Sequence, residues 1–509
     1  MSNFEAFSEY MAQINDLCCV INLLTWDART QMPEEGAETR GHQIGTVARI
    51  AQERFTSPET LALIEAAEAE MATGGFDEFQ IQAVAQAREA YEISKRIPLE
   101  LVSELNALKT ISQQVWAEAR KHDNFPSFAP YLEKMVDLNR QMAEAIGYED
   151  HPYDALLHKY EPGMTAARLE DLFQALKEGL GPVLERAMAA PQPDKEFLTA
   201  QDYPVAQQRA FALEMIEKFG YDLKRGRLDV ATHPFEISFT RQDVRITTRY
   251  NRNFPLAAIF GVFHEAGHGM YEQGADPSIT RSVLTTDLLD LYAVGGSSYG
   301  MHESQSRLWE NLVGRSRTFW EQHFPVLRAY FPEQLKDVDE ERFYRAVNKV
   351  EKSLIRVEAD ELTYNFHILL RVEIEIGLIE GTIKVGELPE LWKAKMQEYL
   401  GVTPPNDSLG VLQDIHWSAG YFGSFPTYTI GNVMSAQFYQ AALKEPGVQE
   451  AVNSVNYQPL LNWLIKNIYQ FGRTYSPDQI LQRATGSSLN VKPYLEYIQQ
   501  KYDDLCSAR

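Results

Sequence analysis

The segment His264-Glu265-Ala266-Gly267-His268 brings together the residue types of metal-assisted hydrolysis. On a helix, positions i and i+4 share one face a turn apart, so both imidazoles can reach one ion. Glu265 follows the first histidine at about 100° around the axis, where a carboxylate can act as a base toward the ion's open side. The bland alternative is a pair of satisfied core histidines. Flanking Val262, Phe263 and Met270 would bury such a pair without offering hydrogen-bond partners, which weighs against it. A hydrolytic ion needs a third protein ligand and one open position. Glu303, Glu310 and Glu272 are the available carboxylates. Glu303 leads, because Gly300 can open a helix whose first turn points a carboxylate inward; its ordinary explanation is a first-turn acid favoured by the helix dipole. A purely structural metal would instead need a fourth side chain, with His302 and His233 as candidates.

These side chains need a scaffold. Asn251-Arg252-Asn253-Phe254-Pro255 offers Asn caps and a first-turn proline, and an apolar stretch follows to Gly274, which predicts a buried helix of about five turns. Just before it, Val244, Ile246, Thr248 and Tyr250 alternate with Arg245, Thr247 and Arg249, the period of a strand, so a small sheet is expected between Arg227 and Tyr250. Residues 1–225 read as helical, as in Leu101, Leu105, Leu108, Ile111 and Val115. The helical period returns from Gly300, and a Gly- and aromatic-rich stretch from Leu409 to Asn432 is expected to be a shaped loop. The expected fold class is mainly α, with a small β-sheet lining the active-site cleft. The chain divides into an N-terminal helical part, 1–225, and a metal-binding catalytic part, 226–509, of one composite domain.

The chain has 509 residues, 44% hydrophobic and 23% charged, which excludes a disordered or fibrous protein. Lys and Arg total 48 against 71 acids; the net charge of -23 repels nucleic acid and anionic membranes, and neither is expected as a partner. Cys18, Cys19 and Cys506 are an odd set that builds no disulfide framework, and the first residues carry acids where a signal peptide carries basic groups. A cytoplasmic location is therefore expected. The longest apolar run, Pro255 to Phe263, is far short of the roughly 18 residues that span a bilayer.

Further stretches, in order along the chain, resemble the carboxypeptidase Taq family of metallopeptidases. They are Trp26-Asp27 with Met32-Pro33 and Gly36; Tyr160-Glu161-Pro162-Gly163-Met164-Thr165; His233-Pro234-Phe235; and Asp243-Val244-Arg245-Ile246-Thr247. The His-Glu-Ala-Gly-His segment follows, then His302-Glu303-Ser304-Gln305, Ile355-Arg356-Val357-Glu358-Ala359-Asp360 and Gly410-Val411-Leu412-Gln413-Asp414-Ile415-His416-Trp417. The resemblance implies a large helical zinc-peptidase fold and a carboxypeptidase of broad specificity acting on peptides with a free C-terminus. It also implies one Zn2+ per chain, replaceable by Co2+, and a homodimer. It makes Glu303 the third ligand beside His264 and His268. One departure is that the segment between His268 and Glu303, through Leu284 to Leu291, is longer than the family pattern, which leaves the substrate preference open.

With a metal-activated water, Glu265 is the expected general base, and a further donor must neutralise the oxyanion. His416, Tyr421 and Tyr428 are the candidates, in or just after a Gly-rich segment similar to the His and Tyr donor segment of related zinc peptidases; ordinary aromatic packing is the alternative. An exopeptidase also needs a fork for a free carboxylate, which suits Arg. Arg356 is the first choice, against an intrahelical pair with Asp360 at i+4. Arg245 is second, against a role bracing the sheet beside Asp243 and Thr247. A peptide added to the sheet as a strand would be held by its main chain, hence broad specificity. The competing functions are an oligopeptidase cutting internal bonds and a helical binding protein with a structural metal.

Overall fold

Pro255 opens the helix that carries both histidines, Pro255–Gln273, in the computed structural model, which describes residues 1–507. The expected Asn cap is not used: Phe254 is the N-cap, and Asn251 accepts from the Asn253 N–H instead. A proline at the first position needs no donor partner, so the helix starts without a side-chain cap. Ile259, Val262, Phe263 and Ala266 are fully buried. Phe263 meets Phe219 and Phe319 edge-on, with centroids 5.0 and 5.7 Å away. The other flank rests on the expected sheet: β1 (Gly226–Val230), β2 (Glu236–Thr240) and β3 (Asp243–Thr248), in the order β1-β3-β2. β3 is central, parallel to β1 and antiparallel to β2, and its Val244 and Ile246 are fully buried as the alternation requires.

A second helix, Tyr299–Arg307, is capped by Ser298, whose hydroxyl accepts from the Met301 N–H. Glu303 therefore stands in the second turn rather than the first, and its dipole-stabilised alternative lapses. The two helices touch backbone to backbone. A Cβ at Gly267 would lie 2.6 Å from both the Gln305 carbonyl oxygen and the Ser306 Cα, so only glycine permits this approach.

The mainly helical expectation holds, with little sheet. Two compact units divide the chain differently from its linear halves: one takes Met1–Lys95, Asp194–Val347 and Met434–Leu489, the other Arg96–Pro193, Asn348–Val433 and Asn490–Arg509. The sheet and both helices above lie in the first. The second holds long helices such as Phe125–Ile146 and Glu361–Glu380 together with irregular segments. One alternative reading lapses there and one expectation needs correction. Arg356 is in a single 3-10 turn, Arg356–Glu358, and Asp360 caps the next helix by accepting from the Leu362 and Thr363 N–H groups, so the two are not an intrahelical pair. The shaped loop is shorter than Leu409 to Asn432: a helix, Pro426–Leu443, starts within it and places Tyr428 in its first turn. Among the described residues no helix is long and apolar enough to cross a membrane.

Candidate metal centre

Four-residue spacing on the first helix and the glycine contact with the second converge on one triangle. His264 Nε2 and His268 Nε2 are 3.3 Å apart, and Glu303 Oε2 is 3.5 and 3.4 Å from them. Edges near 3.4 Å belong to a tetrahedron with bonds of about 2.1 Å, the length of zinc bonds to nitrogen and oxygen. The proton count agrees. His264 Nδ1 lies 3.0 Å from Glu310 Oε2, a carboxylate that only accepts, so Nδ1 carries the hydrogen and Nε2 a bare lone pair. Three acceptors aimed at one point fit a cation. No other group of three metal-binding side chains occurs among the described residues.

The rivals for third ligand have other tasks. Glu310 sits in one turn of π-helix, Leu308–Val313, where it accepts from His264, Arg307 and Arg315. Glu272 accepts from the Gly295 and Gly296 N–H groups and contacts His302. Both His302 nitrogens are engaged outside the triangle, and His233 is exposed in the connection from β1 to β2. Neither closes the coordination sphere, as a structural metal would require.

Electrostatics suit the three donors to a cation. Burial alone would raise the Glu303 carboxyl, but Arg307, whose Nε donates to Oε1 at 2.7 Å, and the two histidines hold it well below the usual carboxylate range. Burial pulls His268 down to about 3, so its imidazole is neutral and free to ligate. His264 is pulled down by burial but raised overall by Glu303 and Glu310. Glu265 is 7% exposed, and burial, opposed by His264 and reinforced by Glu303 and Glu310, pushes it up to about 7.

The remaining predicted residues gather in the second unit, except Arg245. Arg356 donates from Nε and Nη2 to Asp414 Oδ1 at 3.0 and 2.8 Å and from Nη1 to the Tyr364 hydroxyl at 2.9 Å. Those bonds use three of its five N–H groups. Its guanidinium lies 5.1 Å from the centroid of the Tyr428 ring. Asp414 Oδ2 accepts from Arg371, so one largely enclosed carboxylate anchors two guanidinium groups, and together they hold it far below its usual range despite desolvation. His416 Nε2 is 3.1 Å from the Tyr428 hydroxyl, and its ring stacks on Phe425 at 4.3 Å. Burial, then Arg356, lowers its pKa to about 3. Glu375 clamps the segment that follows by accepting from the Trp417 indole at 2.9 Å, the Gly423 N–H at 3.1 Å and the Tyr153 hydroxyl at 2.6 Å. Tyr421 is 45% exposed. Arg245 pairs with both oxygens of Asp243 and lies between Trp26 and Phe239, the bracing role.

Sequence reasoning gave no role to Arg307, Asp414, Arg371 or Glu375. Arg307 carried a usable signal, since it follows Glu303 at i+4; the others depend on contacts between distant segments. The triangle predicts that Glu303→Ala, which leaves two neutral ligands, retains well under about a tenth of an equivalent of zinc after dialysis. Elemental analysis checks this, and stoichiometric zinc in the variant would move the third ligand elsewhere.

Comparison with known proteins agrees with this chemistry. A sequence model of the carboxypeptidase Taq (M32) metallopeptidases matches residues 6–502. The chain is 41% identical over 510 residues to thermostable carboxypeptidase 1 of Thermus thermophilus and 37% identical over 504 residues to carboxypeptidase 1 of Bacillus subtilis, covering 98% of both chains in each case. The crystal structure of the M32 carboxypeptidase of Deinococcus radiodurans superposes with a TM-score of 0.94 at 39% identity, over 99% of this chain and 100% of that one. A triangle of donors that could hold a metal ion and similarity along the whole length together lead to one conclusion: the chain belongs to the carboxypeptidase Taq (M32) family of metallopeptidases.

Proposed function

We propose that this chain is a carboxypeptidase that releases C-terminal amino acids from peptides of varied sequence. The donor triangle of His264, His268 and Glu303 carries the reading, because three converging lone pairs of this kind suit a catalytic ion with one position open to solvent. His264, His268 and Glu303 would hold a divalent ion, zinc with cobalt as a substitute, which would supply Lewis acidity and a water acidic enough to react near neutral pH. Glu265, adjacent to a ligand and with its proton affinity raised toward neutrality, accepts the water's proton and returns it to the leaving amine. Arg307 holds the outer oxygen of Glu303, which fixes that carboxylate while charge shifts.

Arg356 takes the substrate's terminal carboxylate with the N–H groups that Asp414 and Tyr364 leave over. His416, neutral through burial, and Tyr428 act as the donors for the developing oxyanion, with exposed Tyr421 as a third and weaker one. Arg245 stays with the sheet. A homodimer in a reducing compartment completes the reading; three free cysteines support the compartment, and light scattering at twice the 58.0 kDa chain mass would support the dimer.

The deciding experiment offers one peptide with a free C-terminus and with a C-terminal amide to the zinc-loaded protein. Mass spectrometry should show a ladder of single-residue losses from the free acid only. Equal cleavage of both forms at an internal bond would establish the oligopeptidase instead.

A further inference from the structure

His302, Glu272 and the Gly295-Gly296 turn take no part in the reaction proposed above, yet their polar atoms lead in a line to a metal-site histidine. Glu272 stands one turn beyond His268 on the same helix. Its oxygens accept from the Gly295 N–H at 2.8 and 3.0 Å, the Gly296 N–H at 3.1 Å and the Ser238 hydroxyl at 3.2 Å. Its Oε1 is also 2.7 Å from His302 Nε2, and His302 Nδ1 is 2.6 Å from His268 Nδ1.

The donors and acceptors of this line can be arranged in one way that leaves His268 able to ligate. A carboxylate accepts, so His302 Nε2 carries a hydrogen, and a neutral His302 then presents a bare Nδ1. The hydrogen between the two Nδ1 atoms therefore belongs to His268, whose Nε2 keeps its lone pair for the triangle. If His302 Nδ1 carried that hydrogen, a neutral His268 would hold its own on Nε2, where a metal must bind. The ring of His302 is closely seated: a Cβ at Gly296 would lie 2.4 Å from its Cδ2, and the Tyr271 ring lies 5.2 Å away.

We propose that His302, held by Glu272, is a positioning residue that fixes the tautomer and ring orientation of His268 for metal binding. The inference rests on the metal reading of the triangle. His264 reaches its carboxylate directly, through Glu310, whereas His268 reaches Glu272 through a second imidazole. That spacer supplies the required acceptor while keeping a further negative charge one ring farther from a centre that already faces Glu303, Glu310 and Glu265.

The test compares zinc affinities, by competition with a chromophoric chelator at fixed pH, for the parent, His302→Leu and His302→Asn. Leu and Asn have similar shapes, but only Asn places an acceptor where Nδ1 was. His302→Leu should weaken zinc about 10- to 100-fold, and His302→Asn should recover most of that loss. Parent-like affinity in His302→Leu, or an equal loss in both variants, overturns the proposal. A parent that takes up no zinc overturns the metal reading itself, a distinct outcome. Should His302→Leu fail to fold, nitrogen-15 spectra of the histidines in the zinc-loaded parent decide. Hydrogens on His268 Nδ1 and His302 Nε2 are expected, and one on His302 Nδ1 rejects the relay.

Discussion

Glu265→Gln is expected to keep its metal and to lose about 10²- to 10⁴-fold in kcat, the range that one positioned general base supplies. The amide matches the carboxylate in shape, and none of the three ligand atoms belongs to residue 265. What disappears is the ability to accept a proton. Folding should not suffer, since the native carboxylate is buried near Glu303 and Glu310, which both work against its charge. Parent-like turnover at full metal occupancy would assign the base to another group. The sign of the pH dependence also follows. With its pKa raised to about 7 by burial, Glu265 is protonated and inactive below that point, so kcat/KM should fall as pH is lowered. A bound cation pulls the same pKa down. The acid limb should therefore lie at or below about 7, and a limb well above 7 would reject the assignment.

The second large effect is expected at Arg356. Arg356→Ala should lower kcat/KM for a free-acid peptide by about 100-fold or more, because the charge-assisted bonds to the terminal carboxylate are lost. Amidation of the peptide should cost the unmutated enzyme about as much. The two losses should not add, since each removes one side of a single contact. The variant should fold, because Asp414 keeps its bonds to Arg371 and is not left as an unpaired buried charge. Arg356→Lys should recover little, since one ammonium does not reproduce the planar fork. Additive losses would show that Arg356 acts elsewhere than on the terminal carboxylate.

The most legible features were local ones. The two histidines, the buried helix under them and the strand before it follow from periods of 3.6 and 2, which a few residues suffice to display. Glu303 could not be separated from Glu310 and Glu272 by the spacing alone, because its reach depends on how closely two helices approach. That approach depends on Gly267, a residue in plain view within the motif whose role shows only against Gln305 and Ser306. For Arg356 the spacing to Asp360 at i+4 offers an intrahelical pair as the alternative to a carboxylate fork, but the aspartate caps the next helix and the arginine turns to Asp414, 58 positions away. Long-range ion pairs of this sort leave no periodic trace. Helix starts were the other weakness: proline at the first turn replaced the expected Asn cap, and a helix beginning at Pro426 took Tyr428 out of the loop.

The backbone contact at Gly267 also acts as a gauge for ions. Because no side chain separates the two helices there, the span between the histidines and Glu303 is set by main chains, which adjust far less readily than rotamers. A gap that suits bonds of about 2.1 Å is too tight for Ca2+, which prefers six to eight oxygens at about 2.3–2.6 Å. Two imidazoles are equally poor partners for Mg2+, a hard ion that keeps its waters. The expected outcome is that Ca2+ and Mg2+ do not displace a transition ion from this site, whereas ions that bond imidazole near 2.1 Å, zinc and cobalt among them, pass the same gauge and compete according to supply.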